Sequence, residues 1–432
     1  MISILLKLKK LIRSILPEWI FLVYHFLLAH LAVFYYGYPA KKLFVVGVTG
    51  TKGKTSTANF VWAVLTAGGY KTGQLGTANT RIGEKQTLNR MHMTMPSPFV
   101  IQKFLKQMVA AGCTHAVMEA TSEGLKLFRH LGIKFDAAIF TNLTPEHLPS
   151  HGGSFEKYKQ VKAQLMKNLT GEKIIIANAD SEYAKFYLGF PAKQKITFGI
   201  KQGDLLAENI IANQNGISFA VKNQPYRLSV LGSFNVYNAL PAIALGQTLK
   251  IGYEQIKQGL ENLKLIEGRM QKIEQGQNFT VIVDYAHEKV SMNAALDAVR
   301  SMAPKHHVIV LLGAEGGGRD QSKRPAMGEV AATKADFVII SNVDPYDDDP
   351  LKIANDIAQA AESSGKTREK NLFIILDRKA GIAQALGLAR AGDVVLITGK
   401  GAEQSMIIGS KKIPWDDREM VKEELQKLLK QK

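Results

Sequence analysis

Residues 43–55 read LFVVGVTGTKGKT. The apolar, β-branched opening has the composition of a buried parallel strand. Gly50, Thr51, Lys52, Gly53, Lys54 and Thr55 follow, and STANFVWAVLTAGG, from Ser56 onward, continues as a helix. A strand, a glycine-rich turn and a helix N-terminus together cradle phosphate. Backbone N–H groups point at the phosphate oxygens, and glycine lets the chain approach closely. In such a loop Lys54 reaches the β- and γ-phosphates and the Thr55 hydroxyl ligates Mg2+. Position 48 is Val, so only the short G-x-x-G-K-T form is present. The stretch predicts an α/β fold with a P-loop that binds ATP and Mg2+.

The bulk numbers agree with an enzyme of two or three domains, since 432 residues exceed one simple core. A single cysteine, Cys113, excludes a disulfide framework and a multi-cysteine zinc site, and points to a cytoplasmic setting. The net charge of +17 raises the question of nucleic acid. The basic residues are spread along the chain, apart from the first 13 residues and Lys41-Lys42, and no nucleic-acid module interleaves them with aromatics. The excess favours phosphorylated substrates or an acidic membrane surface instead.

Upstream of the loop the chain is greasy. In MISILLKLKKLIRSIL the residues Ser3, Lys7, Lys9, Lys10, Arg13 and Ser14 fall within one helical arc of roughly 160°. Leu5, Leu8, Leu11, Ile12, Ile15 and Leu16 oppose them, the pattern of a basic helix lying in a membrane interface. Pro17 breaks that helix, and Trp19 to Tyr38 contains no Asp, Glu, Lys or Arg. No small-residue cleavage site follows, so a signal peptide fits poorly. A single span would place KLKKLIR outside the cell, against the positive-inside tendency. A membrane-dipping hairpin hinged at Pro17, at the inner face of the plasma membrane, fits better. The alternative is a helical pair packed on the protein's own surface or on a partner protein.

Downstream, HAVMEATSEGL (115–125) puts Glu119 at the end of an apolar strand, where a carboxylate commonly meets a metal beside a phosphate loop. FDAAIFTNLTPEHLPSHGG (135–153) is another strand, and its loop carries His147 and His151. SFEKYKQVKAQLM (154–166) is helical in pattern and carries Lys162. VIVDYAHEKV (281–290) and LLGAEGGGRDQSKRPAMG (311–328) each place polar groups at the C-terminal end of a strand, where ligands sit in open α/β sheets.

Taken in order, these stretches resemble the Mur ligase family, and within it the type that adds the third residue of the peptidoglycan stem peptide. The resemblance covers about residues 43–425. The family's GTNGKT stands as GTKGKT (50–55), its TNLTxDHLDxHG as TNLTPEHLPSHGG (141–153), and its Y-x-x-x-K as Tyr158 and Lys162. FNVYNALPA (234–242), GRMQ (268–271), VDYAH (283–287), GGGRDQSKRP (316–325) and GKGAE (399–403) complete the series. The resemblance implies a central ATPase domain (43–265) and a Rossmann-like C-terminal domain (266–432), preceded here by the short hydrophobic helical segment (1–42). It implies ATP-driven amide formation through an acyl phosphate, with a muropeptide-type carboxylate as acceptor and an amino acid as the amine. Thr55 and Glu119 would hold one Mg2+ and His147 would contact a second. Lys162 matches a lysine that is carbamylated in the family, which needs a neutral amine. Asn235 and Asn238 would lie near the adenine. Arg269, Asp284, His287, Arg319, Asp320 and Lys323 would bring the C-terminal domain onto the nucleotide or the incoming amino acid.

The departures bear on the substrate. The family's roughly hundred-residue UDP-binding region has no counterpart before the loop, which leads to the expectation of a muropeptide acceptor, UDP- or lipid-linked: a lipid-linked one would be reached from the membrane, and a separately encoded UDP-binding partner would explain the same difference. The acceptor-contacting T-T-P reads Thr94-Met95-Pro96, and S-S-H reads Thr121-Ser122-Glu123, while Arg129 keeps the position that grips an acceptor carboxylate. Relatives that add diaminopimelate carry D-N-P-R. Here Asp344-Pro345-Tyr346 precedes Asp347, Asp348 and Asp349, an acidic run suited to a cationic side chain such as lysine. Ala402 replaces the His of GKGHE, leaving Gly399 and Glu403, with Glu403 to accept an α-ammonium. A folylpolyglutamate-synthase-type ligase and a membrane-anchored scaffold with an idle ATP site are the competing readings. GRMQ, VDYAH and GGGRDQSKRP oppose the first, and the intact Lys54, Thr55, Glu119, His147 and Lys162 set opposes the second.

Overall fold

The computed structural model describes residues 17–83, 85–91, 93–146 and 148–431. The expected basic amphipathic helix before Pro17, and His147, lie outside the described residues. The chain divides into two compact units. The first takes in the chain to Glu208 together with Val221–Asn223 and Tyr237–Asn262; the second holds Asn209–Ala220, Gln224–Val236 and Leu263–Lys432.

In the first unit, helix α1 (Glu18–Tyr36) leads to strand β1 (Phe44–Thr49), the loop at 50–53 and helix α2 (Lys54–Ala67). Then come β2 (Thr72–Leu75), β3 (Asn79–Ile82), β4 (Lys85–Leu88), α3 (Pro98–Ala110) and β5 (His115–Ala120). After α4 (Ser122–Lys126) follow β6 (Ala137–Phe140), α5 (Phe155–Lys167), β7 (Gly171–Asn178), α6 (Ala184–Leu188) and β8 (Ala192–Gly199). The sheet runs β8-β7-β6-β1-β5-β2-β3-β4. The strands from β8 to β2 are parallel, with β1 between β5 and β6, and β3 and β4 form an antiparallel edge. Such central strands are buried on both faces, which is why Val45, Val46 and Val48 are fully buried and the stretch reads as one apolar run. Val48 stands opposite Glu119 and Thr49 opposite Ala120 on neighbouring strands, so Glu119 lies near the strand ends that lead into the loop.

Helix α1 ends on Gly37, in the left-handed conformation, whose N–H caps the carbonyls of the last turn. One narrow face docks on the first unit: Ala29, Ala32 and Val33 are buried, Val33 fits over Gly132, and Phe26 meets Phe128 edge-on. Tyr35 and Tyr36 reach Phe99 of α3, and Glu18 pairs with Lys126 at 2.6 Å. The remaining surface is apolar and exposed, including Trp19, Val23, Leu27, Leu31 and Phe34. Packing on the protein's own surface thus accounts for one side of the helix.

Three strands follow in the chain, β9 (Leu205–Asn213), β10 (Gly216–Val221) and β11 (Gln224–Leu228), then α7 (Asn235–Thr248) and α8 (Tyr253–Asn262). The second unit continues through β12 (Gln271–Ile273), β13 (Thr280–Val283), α9 (Lys289–Met302), β14 (Val308–Leu312), α10 (Lys323–Lys334) and β15 (Phe337–Ile340). It closes with α11 (Pro350–Ser363), β16 (Leu372–Ile374), α12 (Arg378–Leu388), β17 (Val394–Ile397), the hairpin β18 (Ser405–Ile408) and β19 (Lys411–Pro414), and α13 (Asp417–Lys430). Its six-stranded sheet has the order β12-β13-β17-β14-β15-β16, parallel except for β12. Along β14, Val308, Val310 and Leu312 enter one hydrophobic core and Ile309 and Leu311 enter the other, so each face has its own helical layer. The C-terminal ends of β13, β14 and β17 present the chain at Asp284, Gly313 and Thr398, the edge at which open α/β sheets bind ligands.

Candidate active site

The loop of residues 50–55 is braced from the segment after β6. Thr51 N donates to Asn142 O at 2.9 Å and Lys52 N to Asn142 Oδ1 at 2.9 Å. Thr141 Oγ1 donates to Lys52 O at 2.7 Å, and Thr144 N donates to Thr51 Oγ1 at 2.9 Å. Gly53 has φ +84°, and a Cβ there would sit 2.3 Å from Asn238 Oδ1, so Asn238 closes one side of the loop. Asn235, at the start of α7, donates its amide to Leu231 O at 2.7 Å. The Lys54 ammonium bonds back to Gly50 O at 3.0 Å and Thr51 O at 2.9 Å, across the turn it serves. Ser56 is buried in the first turn of α2.

Thr55 Oγ1 donates to Glu119 Oε2 at 2.9 Å, so the hydroxyl and carboxylate expected to share a metal are adjacent. Both are oxygen donors, as Mg2+ requires, and two protein oxygens leave room for phosphate and water around that ion. A third residue stands with them. Thr77, after β2, donates its backbone N–H to Glu119 Oε1 at 2.7 Å and its hydroxyl to Glu119 Oε2 at 2.9 Å. Its hydroxyl also meets that of Thr94 at 2.8 Å. A continuous polar path therefore joins Thr94 through Thr77 and Glu119 to Thr55 of the phosphate loop. Sequence reasoning did not find Thr77, because its partner lies 42 residues away on another strand.

Lys162 is buried on α5, and its amine donates to Gly50 O at 2.7 Å. Burial, and then the neighbouring charge of Lys54, hold its pKa well below that of a free lysine; Glu146 opposes this and Lys52 adds to it. Tyr158, one turn earlier, reaches Thr51 Oγ1 at 3.2 Å, which explains the Y-x-x-x-K spacing: both residues face the loop. His151 is buried against Tyr158, and burial with the charges of Lys126 and Lys162 lowers its pKa to about 4.

Of the expected acceptor residues, Thr121 caps α4 by accepting from Gly124 N at 3.2 Å, and Ser122 is buried. The Arg129 guanidinium donates to Met95 O, tying the turn after α4 to the Thr94-Met95-Pro96 segment. Burial lowers the Arg129 pKa, partly offset by Glu123.

The second unit gathers its own polar cluster. Asp284 is buried, which raises its pKa, and it accepts from Met270 N at 2.8 Å and Ala286 N at 2.7 Å, fixing GRMQ beside VDYAH. Arg269 stacks on the Tyr285 ring at 4.3 Å, and Tyr285 OH donates to Glu403 Oε1 at 3.2 Å. His287 Nδ1 donates to Tyr285 O at 2.7 Å. Lys323 lies 3.5 Å from Glu315 and 3.7 Å from Glu288, and Arg319 bonds Tyr346. Asp320 accepts from Ser322 N at 3.0 Å, ahead of α10. Gly399 adopts φ +106° between β17 and Lys400.

Two expectations change here. Asp344 is fully buried, 2.9 Å from the Lys400 ammonium, and also accepts from Ile407 N at 2.8 Å. It positions Lys400, which in turn pairs with Glu403 at 2.5 Å, rather than presenting a carboxylate to substrate. The acidic run is also mostly engaged locally. Asp348 accepts from Gly317 N at 3.1 Å and lies 3.8 Å from Arg324, while Asp349 caps α11 through Leu351 N at 2.9 Å. Only Asp347 of the three is left for a cationic side chain.

Comparison with known proteins finds two domains of one family along the chain. The Mur ligase middle domain matches residues 48–246, and the Mur ligase glutamate ligase domain matches residues 268–401. The UDP-N-acetylmuramyl-tripeptide synthetase of Roseiflexus sp. is 37% identical over 410 residues, covering 90% of this chain and 80% of its own. The UDP-N-acetylmuramoyl-L-alanyl-D-glutamate–2,6-diaminopimelate ligase of Bacillus cereus is 37% identical over 408 residues, covering 92% and 81%. A solved structure of a ligase of that same name superposes with a TM-score of 0.61 at 26% identity, over 90% of this chain and 79% of that one. The folylpolyglutamate synthase of Mycobacterium tuberculosis reaches a TM-score of 0.69 at 15% identity, over 87% and 92%, which is a likeness of fold alone. The chain belongs to the Mur ligase family, the ATP-dependent acid–amino-acid ligases of peptidoglycan synthesis.

Proposed function

We propose that this ligase adds an amino acid to the carboxylate of a muropeptide carried on a lipid, working at the inner face of the membrane. The chemistry is that of the family. The acceptor carboxylate attacks the γ-phosphorus of ATP, giving an acyl phosphate and ADP. The amino acid's amine then attacks the acyl carbon, phosphate leaves, and one proton is released with the amide. Both reactants of the first step are anionic, so Lys54 neutralises charge as the carboxylate approaches. Thr55 and Glu119 would hold Mg2+, which when bound would supply electrostatic stabilisation of the phosphates. Thr94 and Arg129 bind the acceptor; Arg319, Tyr346 and Glu403 receive the amino acid, with Glu403 on its α-ammonium. Lys162 serves as a carbamate. A buried amine with a depressed pKa supports that role, because only the free base adds carbon dioxide.

The observation that carries the lipid carrier is the exposed face of α1. Trp19, Phe34 and Tyr35 are 65%, 75% and 69% exposed, on a helix whose opposite face is already docked. Exposed lysines border it: Lys41 and Lys42 just beyond its end, and Lys103 and Lys106 on α3, which share a face with the Phe99 that meets Tyr35. Aromatic residues flanked by lysines suit the interface of an anionic bilayer.

The test offers a stem dipeptide on a UDP carrier and on a lipid carrier, with ATP, Mg2+ and mixed amino acids, and reads product mass. A gain on the lipid carrier, absent on the UDP carrier, is expected, and the added mass names the amino acid. A gain confined to the UDP carrier refutes the lipid reading; no gain on either refutes the muropeptide assignment. Removing carbon dioxide from the buffer should slow the reaction, with recovery on adding bicarbonate.

A further inference from the structure

The phosphate loop holds an ion pair that the reaction as described does not use. Lys52 sits in the turn itself, and its ammonium lies 2.9 Å from Glu146 Oε1. The contact is Coulombic rather than an aligned hydrogen bond, since no donor among the described residues satisfies Glu146 Oε1 along its bonding direction. Glu146 is 6% exposed and Lys52 24% exposed, so the carboxylate is the fixed member and the ammonium the accessible one. Both positions depart from the pattern given above: GTNGKT has Asn where this chain has Lys52, and TNLTxDHLDxHG has Asp where it has Glu146. The two departures touch. Lengthening the acid by one methylene brings its carboxylate to the ammonium that the other change introduces.

We propose that Lys52 is a second phosphate-binding ammonium of this loop, tethered by Glu146 so that it meets the γ-phosphate of ATP. The backbone of Lys52 is pinned on both sides, by Asn142 Oδ1 at its N–H and by Thr141 Oγ1 at its carbonyl, so only its side chain can move. Lys54 and Lys162 share the carbonyl of Gly50 as acceptor, at 3.0 and 2.7 Å, which gathers both ammoniums at the start of the turn. The charges of Lys52 and Lys54 both act on Lys162, so the three ammoniums lie near one another. An ammonium has three N–H donors. One face toward Glu146 leaves others for phosphate oxygens, and a partly exposed pair is a weak hold beside a contact with a multiply charged phosphate. Glu146 then keeps three lysines around one turn from repelling one another before ATP arrives.

The proposal rests on the ATP-driven reading, and nucleotide binding separates the two. N-methylanthraniloyl derivatives of ATP and ADP are titrated with Mg2+ into the full chain without acceptor. Lys52→Asn is expected to weaken ATP about tenfold while ADP changes little, because the lost contact is to the γ-phosphate. Lys52→Arg keeps the ATP preference. Glu146→Gln weakens ATP less than Lys52→Asn, and the double variant is no worse than Lys52→Asn alone. An unchanged ratio of ATP to ADP affinity in Lys52→Asn overturns the proposal. That includes a variant that melts earlier at an unchanged ratio, the mark of a purely structural clamp. If the unaltered protein binds neither nucleotide, the ATP reading fails instead.

Discussion

At the scale of single residues, the site is built from groups that hold one another in the right charge state and direction. Glu119 shows this best. Its two carboxylate oxygens accept from Thr55, from the Thr77 backbone and from the Thr77 hydroxyl. A carboxylate aimed in this way is ready to meet a cation without losing rotamer freedom at the moment of binding. Thr77→Val keeps the backbone N–H and the volume but removes the hydroxyl. The Mg2+ concentration giving half-maximal binding of labelled ATP should then rise about tenfold. Thr77→Ser should restore most of that loss; a Val variant with unchanged Mg2+ dependence would remove Thr77 from the metal site. The residue was silent in the sequence for a physical reason. A threonine in a loop has many bland uses, and only folding brings Thr77 onto Glu119. The phosphate loop, by contrast, was legible, because its residues act through local backbone geometry. The Lys52–Glu146 pair lies between these cases: both residues stand inside readable motifs, while their meeting is a tertiary fact.

At the scale of elements, the strands and helices around the loop were readable because β1, β5 and β6 are buried on both faces and show as uninterrupted apolar runs. The paired hydrophobic layers of β14 follow the same logic. Helix α1 was readable as greasy but not as half-docked. An apolar residue that packs on Gly132 and one that faces outward look alike in sequence, and separating them takes the position of a glycine 99 residues further along than Val33. The two faces should respond differently to mutation. Leu27→Glu with Leu31→Glu changes two residues that are 61% and 57% exposed, so the melting temperature should hardly move. Flotation with vesicles containing about one-third anionic lipid should nevertheless lose most of the bound protein. Gly132→Val does the reverse. A Cβ there would lie 2.4 Å from Val33 at a backbone φ of +74°, so the docked face is forced apart and stability falls by about 1–3 kcal/mol. If the double Glu variant floats as well as the unaltered chain, the outward face has a role other than lipid.

At the scale of the whole molecule, the two units differ in how they carry titratable groups, and acid should separate them. His115, His130 and His151 all belong to the first unit, and each is held to a pKa of about 4. Burial is the main cause in every case. Asp136 opposes it at His115, while Lys126 and Lys162 reinforce it and Glu123 opposes it at His151. An unfolded histidine titrates near 6.5, so between that value and about 4 the unfolded chain binds more protons than the folded one. The stability of the first unit is therefore complete above about pH 6.5 and is lost progressively as the pH falls toward 4. Each histidine contributes on the order of 1–2 kcal/mol to that loss at pH 5. The second unit has the opposite bias. Its buried Asp284 has a raised pKa, so the folded form takes up its proton before the unfolded chain does and gains as the pH falls toward the ordinary carboxylate value. Its Asp336 and Asp416 are held below the ordinary carboxylate value, and their contribution is lost only in stronger acid. Each unit also has its own hydrophobic core, which allows two melting transitions. Calorimetry at pH 7 and pH 5 should show one transition moving down by many degrees while the other holds. Adding ATP with Mg2+ at pH 7 should raise the acid-sensitive transition by mass action, because the phosphate loop lies in the same unit as the three histidines. Arg378→Met breaks a fully buried pair with Asp417 and should lower the other transition by about 3–5 kcal/mol. If ATP and Arg378→Met act on the same transition, the units fold as one cooperative body, and the acid loss should then spread over the whole chain.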